Sequence, residues 1–201
     1  MQVSTSNKIV CLARSFRLHA AELGNEVPGE PLYFLKAPSA VIGPGDAIVL
    51  PPESGDVQHE AEVAIIIGRR LSRADEAEVE AAIAGWTVLN DVTARDVQKA
   101  DGGRFTRAKG FDTFCPIADT QLPKLDWRSA RVQCFVNGKK RQDGGLSDLL
   151  WPPAVAVAAI SKGMTLRPGD VVSLGTPAGV STLQPGDDVE VRLVDGAGAI
   201  D

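Results

Sequence analysis

Residues 58–68 read QHEAEVAIIIG, and this stretch most narrows what the chain can fold into. The apolar run from Val63 to Ile67 is short and rich in β-branched residues, which marks a strand rather than a helix. It lacks the polar alternation of a half-exposed strand, so both of its faces need cover. Yet Glu60 and Glu62 stand at its head, on one face because strand side chains alternate. Strand rise puts their Cα atoms roughly 7 Å apart. Two carboxylates so close raise each other's pKa unless a cation neutralises them, and burying either is costly. An isolated Glu-x-Glu is usually a solvated strand face. Here the continuous apolar run leaves no free face to use.

The rest of the chain supports a β-dominated fold. Three PGD turns, at 44–46, 168–170 and 185–187, precede AIVL, VVSLGT and DVEVRLV, each rich in strand formers. Segments 57–67, 86–92 and 131–137 also read as strands. Helices are few. The segment 72–85 opens on a capping-box spacing, Ser72 to Asp75, sets Val79, Ala82, Ile83 and Trp86 on one face, and has Gly85 as its stop. PPAVAVAAISKG begins with proline and ends with glycine. A third helix is expected around 15–24, ended by Gly24. No linker or repeat divides the chain, so 1–201 reads as one domain of α+β class, mostly β.

Composition excludes several functions. A net charge of −5 argues against nucleic acid as a partner. No window approaches the about 20 apolar residues of a membrane span, and the first residues do not read as a secretory leader. The three cysteines, Cys11, Cys115 and Cys134, form neither a zinc spacing nor a disulfide framework, which suits a reducing, cytoplasmic setting. With only His19 and His59 present, a bound metal needs oxygen ligands. Asp91, where apolar residues give way to polar ones in VLNDVTARD, supplies a third carboxylate beside Glu60 and Glu62.

Three further features carry chemistry or an ordinary alternative. His19 and Glu22 share a helical face, either as a water-activating pair or as a surface pair. Lys109 in TRAKGFD is a buried cation or a plain surface lysine. The loop GTPAGV at 175–180 offers backbone N–H groups as an anion nest, although a plain turn is the commoner meaning of such a sequence. His59 points to the face opposite its neighbouring glutamates and has no part in the expected site.

Eight segments in this order, KIVCLARSF, HAAEL, FLKAPSA, QHEAE, NDVTARDVQ, RAKGFDTFCP, VNGKKRQDG and LGTPAGV, resemble the fumarylacetoacetate hydrolase family, in its short members built from the catalytic domain alone. The resemblance implies a mixed β-sandwich roll and a homodimer. It implies Mg2+ or Mn2+ held by Glu60, Glu62 and Asp91, with His19 and Glu22 as the water-activating dyad on a lid. It implies Lys109 beside the metal, and Arg14, Gln98 and Thr176 on the carboxylate and carbonyl oxygens of a small 2-oxo acid. The chain departs from the family at Ser15-Phe16, where Asn-Tyr is usual, at Ala37 for proline, at Phe105 for tryptophan and at Ser181 for glycine.

The activity so implied is hydrolysis of an acylpyruvate through a metal-bound pyruvate enolate, with oxaloacetate decarboxylation alongside. Isomerisation or decarboxylation of a 2-hydroxyhepta-2,4-diene-1,7-dioate type diacid in aromatic catabolism is the alternative, with Arg104 and Arg107 as partners for its second carboxylate. From another class, the three carboxylates would make a non-catalytic divalent-metal module.

Overall fold

The computed structural model describes residues 7–17 and 28–195 and the strand 198–200. Most of the helix expected over 15–24, with His19 and Glu22, lies outside the described residues. In chain order the strands are β1 (Ile9–Ala13), β2 (Leu32–Lys36), β3 (Val41–Ile42), β4 (Val57–Gln58), β5 (Ala61–Ile67), β6 (Ile83–Asn90) and β7 (Thr93–Ala94). They continue with β8 (Cys115–Pro116), β9 (Arg131–Val136), β10 (Lys139–Gly145), β11 (Val171–Ser173), β12 (Val189–Asp195) and β13 (Gly198–Ile200). The described helices are α1 (Glu76–Ala82), α2 (Arg95–Ala100), α3 (Thr106–Gly110) and α4 (Pro153–Gly163).

Two sheets organise the molecule. The first has the order β2-β1-β11-β5-β6 and the second β10-β9-β12-β13. Within them β1 and β11 run parallel and the other pairs antiparallel, so the first sheet is mixed. One face of the first sheet, with Val10, Val63, Ile65, Ile67 and Val172, packs against Val132, Cys134 and Leu193 of the second sheet and Val157 and Ile160 of α4. The opposite face, with Ile9, Cys11, Ala64 and Val171, packs against Val97, Ala108, Phe114 and Cys115. Every residue of β1 and β5 is therefore buried. This is what the unbroken run Val63–Ile67 required. Each isoleucine so buried contributes about 2–3 kcal/mol. The three cysteines are free thiols and all are buried.

The three PGD turns fold alike. In each, the aspartate carboxylate accepts the backbone N–H three residues before it: Gly43 to Asp46 at 2.9 Å, Arg167 to Asp170 at 2.7 Å and Gln184 to Asp187 at 2.7 Å. Gly45, Gly169 and Gly186 take positive φ of 82°, 86° and 87°, which a side chain would strain. Two of the turns lead into β11 and β12. The first leads into no strand, because AIVL at 47–50 runs as irregular chain.

Other boundaries also moved. Helix α1 starts one turn later than the Ser72 spacing predicts. Asp75 is the cap, and its carboxylate accepts from Glu78 N while Glu78 accepts from Asp75 N. Asp75-x-x-Glu78 satisfies two N–H groups reciprocally, which Ser72 with Asp75 does not. The helix stops at Ala82, and Ile83 and Trp86 belong to β6 instead. The expected strand 57–67 breaks at His59 and Glu60. Proline-led α4 runs as expected.

Candidate active site

The site forms at the C-terminal end of β6 and the head of β5. Both Glu60 and Glu62 line one cavity of about 300 Å³, as their spacing predicts. The N–H of Asp91 donates to the carbonyl of Glu60 at 2.8 Å, which brings the third carboxylate alongside. All three are nearly sealed, at 4%, 1% and 1% exposure, so their charges must be met inside the protein.

Three cations meet them. The Lys109 ammonium donates to Glu60 at 2.8 Å, to Asp91 at 2.5 Å and to the Thr93 hydroxyl at 2.8 Å. Lys36, from the end of β2, donates to the other Asp91 oxygen at 2.6 Å. Arg95, at the start of α2, pairs with the other oxygen of Glu60. Burial alone would lower the Lys109 pKa, but Asp91, Glu60 and Glu62 outweigh it and hold the ammonium above the usual lysine range. The choice between a buried cation and a surface lysine is thus decided: Lys109 is buried.

Glu62 differs from its neighbours. Its carboxylate accepts from the Ser173 hydroxyl and from Gly175 N at 3.1 Å, and among the described residues no cation pairs with it. Burial, then Asp91 and Glu60, hold its pKa well above the usual carboxylate range, and Lys109 and Ser173 only partly offset them. One added positive charge would stabilise this cluster. Single ligand atoms of Glu62, Asp91 and Cys11 lie within 4.8 Å of one another, a group that Glu60 does not join, and two of its three donors are hard carboxylate oxygens. The residues therefore fit a hard divalent cation. Cys11 is a poor member of that set: burial first, then Asp91 and Glu62, raise its pKa well above the ordinary thiol value, and the thiol stays neutral.

The remaining expected residues fall as follows. Arg14 lines the cavity, with the positive φ of 55° that concentrates at functional sites in non-glycine residues. Gln98 and Thr176 line it too. Gln98 accepts from Arg95 at 2.7 Å. The Thr176 hydroxyl gives its proton to the Ala61 carbonyl at 2.9 Å, so in this arrangement it offers a ligand an acceptor, not a donor. The 175–180 loop does present an N–H to an anion at its head, but the anion is the protein's own Glu62. Arg104 and Arg107 are both engaged by Asp101 and do not line the cavity. His19 and Glu22 lie outside the described residues.

Several contributors went unread in the sequence. Lys36 and Arg95 sit among apolar neighbours, in LYFLKAP and VTARDV, which is the signal that would have found them. Lys99 lines the cavity mouth, where an exposed lysine gives no local sign of a role. Phe34 and Phe105 stack at 4.6 Å and wall the cavity, and the Lys109 ammonium stands 5.0 Å from the Phe34 ring centre. Two departures from the family pattern find structural work. Ser15 donates to the Leu174 carbonyl at 2.6 Å, and its hydroxyl fills the space a side chain at Gly175 would need. The Phe16 ring is buried in the core.

The model of the family described as fumarylacetoacetate (FAA) hydrolase C-terminal matches residues 8–201. The chain belongs to the fumarylacetoacetate hydrolase family. Oxaloacetate tautomerase YcgM of Escherichia coli is 38% identical over 194 residues, covering 93% of this chain and 88% of that protein. Among solved structures, 5-carboxymethyl-2-hydroxymuconate delta-isomerase from Mycobacterium smegmatis matches at a TM-score of 0.88 with 39% identity, covering 98% of this chain and 77% of that one. The 2-hydroxyhepta-2,4-diene-1,7-dioate isomerase from Mycobacterium marinum matches at 0.87 with 37% identity, covering 98% and 73%. The family relatives thus include tautomerases and isomerases, and the fold is that of these enzymes. Among the described residues no helix is long and apolar enough to cross a membrane.

Proposed function

We propose that this chain is a divalent-cation-dependent enzyme of small 2-oxo acids, with keto–enol tautomerisation of oxaloacetate as its reaction. The observation that carries this reading is Glu62, a buried carboxylate beside Glu60 and Asp91 that only neutral donors meet among the described residues, facing a cavity edged by Arg14 and Lys99. The tautomerase relative supports the reaction. Glu60, Glu62 and Asp91 would hold Mg2+ or Mn2+, which supplies positive charge where a substrate oxygen becomes anionic.

The chain's own residues do the rest. Tautomerisation moves one proton from C3 to the 2-oxo oxygen: a C–H bond breaks, an O–H bond forms, and net charge is unchanged. Lys109, kept protonated, stabilises negative charge developing near it. Arg14 and Lys99, which line the cavity, would pair with the two carboxylates of a diacid. The stacked Phe34 and Phe105 keep water from one wall. In this reading His19, with Glu22, takes the proton from C3 and delivers it to the 2-oxo oxygen, or the reverse when the enol is the substrate.

That aromatic wall also favours a second reading, hydrolysis of an acylpyruvate with an uncharged acyl group. Water then attacks the distal carbonyl, the C3–C4 bond breaks, and pyruvate and a carboxylic acid leave. Decarboxylation of oxaloacetate needs no such water. Isomerisation of a seven-carbon diacid would use Arg14 and Lys99 rather than Arg104 and Arg107.

The test is the decay of enol-oxaloacetate absorbance with Mn2+, with Mg2+ and after chelation, beside acetylpyruvate and an unsaturated heptadioate. Enzyme-accelerated decay that vanishes on chelation is expected. Undiminished turnover in chelated buffer would sink the reading. A melting temperature raised by Mn2+ with no substrate turned over would instead establish a non-catalytic metal module.

A further inference from the structure

Ala61, the residue between Glu60 and Glu62, lies where the first sheet is incomplete. On one side β5 pairs with β6 along its length. On the other, β11 accompanies β5 only over Ala64–Ile66, and Leu174 N adds one bond to Val63. The chain then turns away at Gly175, whose φ is +91°. The N–H and C=O of Ala61 are left without a strand beside them. Buried backbone groups of this kind must find partners.

Two side chains take the place of the strand. Ala61 N donates to Gln142 Oε1 at 3.0 Å, and Thr176 Oγ1 donates to Ala61 O at 2.9 Å. Gln142 reaches in from β10 of the second sheet and is 1% exposed. Its Nε2 donates to Thr176 Oγ1 at 2.8 Å and to Pro177 O at 2.7 Å. Its Oε1 also meets His59 Nδ1 at 2.9 Å.

Two backbone groups fix every proton in this chain of bonds. Ala61 N–H can only donate and the Pro177 carbonyl can only accept, so the amide has one orientation. His59 therefore carries its hydrogen on Nδ1, and its Nε2 accepts from Ser181 Oγ at 2.9 Å. Ser181 thus gives His59 a partner that the family's usual glycine would not provide. Thr176 accepts from Gln142 and sends its own proton to Ala61.

We propose that Gln142 is a positioning residue of the cation site: it stands in for a missing strand beside Ala61 and thereby fixes the spacing and aim of Glu60 and Glu62. This rests on the reading of the three carboxylates as a cation site. Both glutamates hang from the two peptide units that Gln142 and Thr176 pin. Loosening either unit would move one carboxylate relative to the other. Groups that orient metal ligands from behind in this way set affinity without touching the ion.

The test is Mn2+ titration by calorimetry on the full chain and on Q142M, T176V and T176S. Q142M keeps the volume and removes all four hydrogen bonds. We expect it to bind Mn2+ roughly 10–100-fold more weakly while its far-ultraviolet spectrum stays that of the folded chain. T176V removes the hydroxyl and should weaken Mn2+ binding by about threefold or more, and T176S, which keeps it, should restore affinity. A purely structural glutamine would lower the melting temperature and leave Mn2+ affinity alone. The inference is overturned if folded Q142M binds Mn2+ within about twofold of the unsubstituted chain. Should Q142M not fold, T176V and T176S decide, and equal affinity of those two would overturn it. Absence of Mn2+ binding by the unsubstituted chain would overturn the cation reading and this inference with it.

Discussion

The two sheets solve different problems. The central strands of the first, β1 and β5, are covered on both faces and contain no exposed residue, while its edge strand β2 exposes Leu32 and Leu35. The second alternates in the ordinary way: β9 places Val132, Cys134 and Val136 inward and leaves Arg131 outside. The charged site stands on the first sheet, the drier of the two. Charges there are expensive to hold and correspondingly strong, because little water screens them. The second sheet lends that site one uncharged side chain, Gln142. A rigid apolar platform fixes carboxylates in space, and an amphipathic sheet behind it supplies the brace.

The largest effect expected from breaking this contrast is at Asp91. Asp91→Ala removes the acceptor shared by Lys36 and Lys109 and leaves both ammonium groups buried with one anion fewer. A loss of about 3–5 kcal/mol is expected, together with all turnover. Urea denaturation and an oxaloacetate assay check both, and unchanged stability would mean that the cluster is solvated. Next, Ile65→Ala in the first sheet should cost about 2–5 kcal/mol. Val191→Ala, half-buried in the second, should cost about 1 kcal/mol or less. Similar losses at the two positions would erase the distinction between the sheets.

The same turn can be compared in both settings. Asp170, buried before β11, accepts from Arg167 N and Lys8 N, the latter at 2.9 Å, and Asp170→Ala should cost about 1–3 kcal/mol. Asp187, only half-buried before β12, closes an equivalent turn, and Asp187→Ala should shift the melting temperature less. The smallest change in stability is expected at Glu62. Glu62→Gln relieves repulsion from Asp91 and Glu60 without orphaning a cation, so metal-free stability should hold or rise by about 1 kcal/mol. Mn2+-dependent turnover should disappear. Loss of both stability and turnover would mean that Glu62 has a cationic partner.

Much of the platform was legible in the sequence and much of the brace was not. Val63–Ile67 announced a doubly covered strand because no polar residue interrupts it. Glu60, Glu62 and Asp91 were legible as a trio because carboxylates beside buried strands need a reason. Gln142 was not, because it reaches the site from a distant segment and nothing local marks a side chain that turns inward; Lys36 and Arg95 carried only the faint signal of a cation among apolar neighbours. Strand β10, KKRQDGG, lacks the β-branched residues of a strand and is held by pairing with β9. AIVL failed the other way: strong strand formers remained irregular because no neighbouring strand receives them. The alternation of strand side chains turns His59 away from the carboxylates. That same orientation puts it against Gln142.

The buried sulfurs carry one more consequence. Burial raises the thiol pKa of Cys115 and Cys134, each to about 12, and that of Cys11 as well, so the native chain offers a soluble thiol reagent no thiolate to attack. Cys11 lies on the outer face of the first sheet with Cys115 in the layer packed against it, and Cys134 lies between the sheets. Each alkylation therefore times the opening of one layer. The molecule carries two stopwatches, and their ratio reads whether the platform and its brace come apart together or in turn.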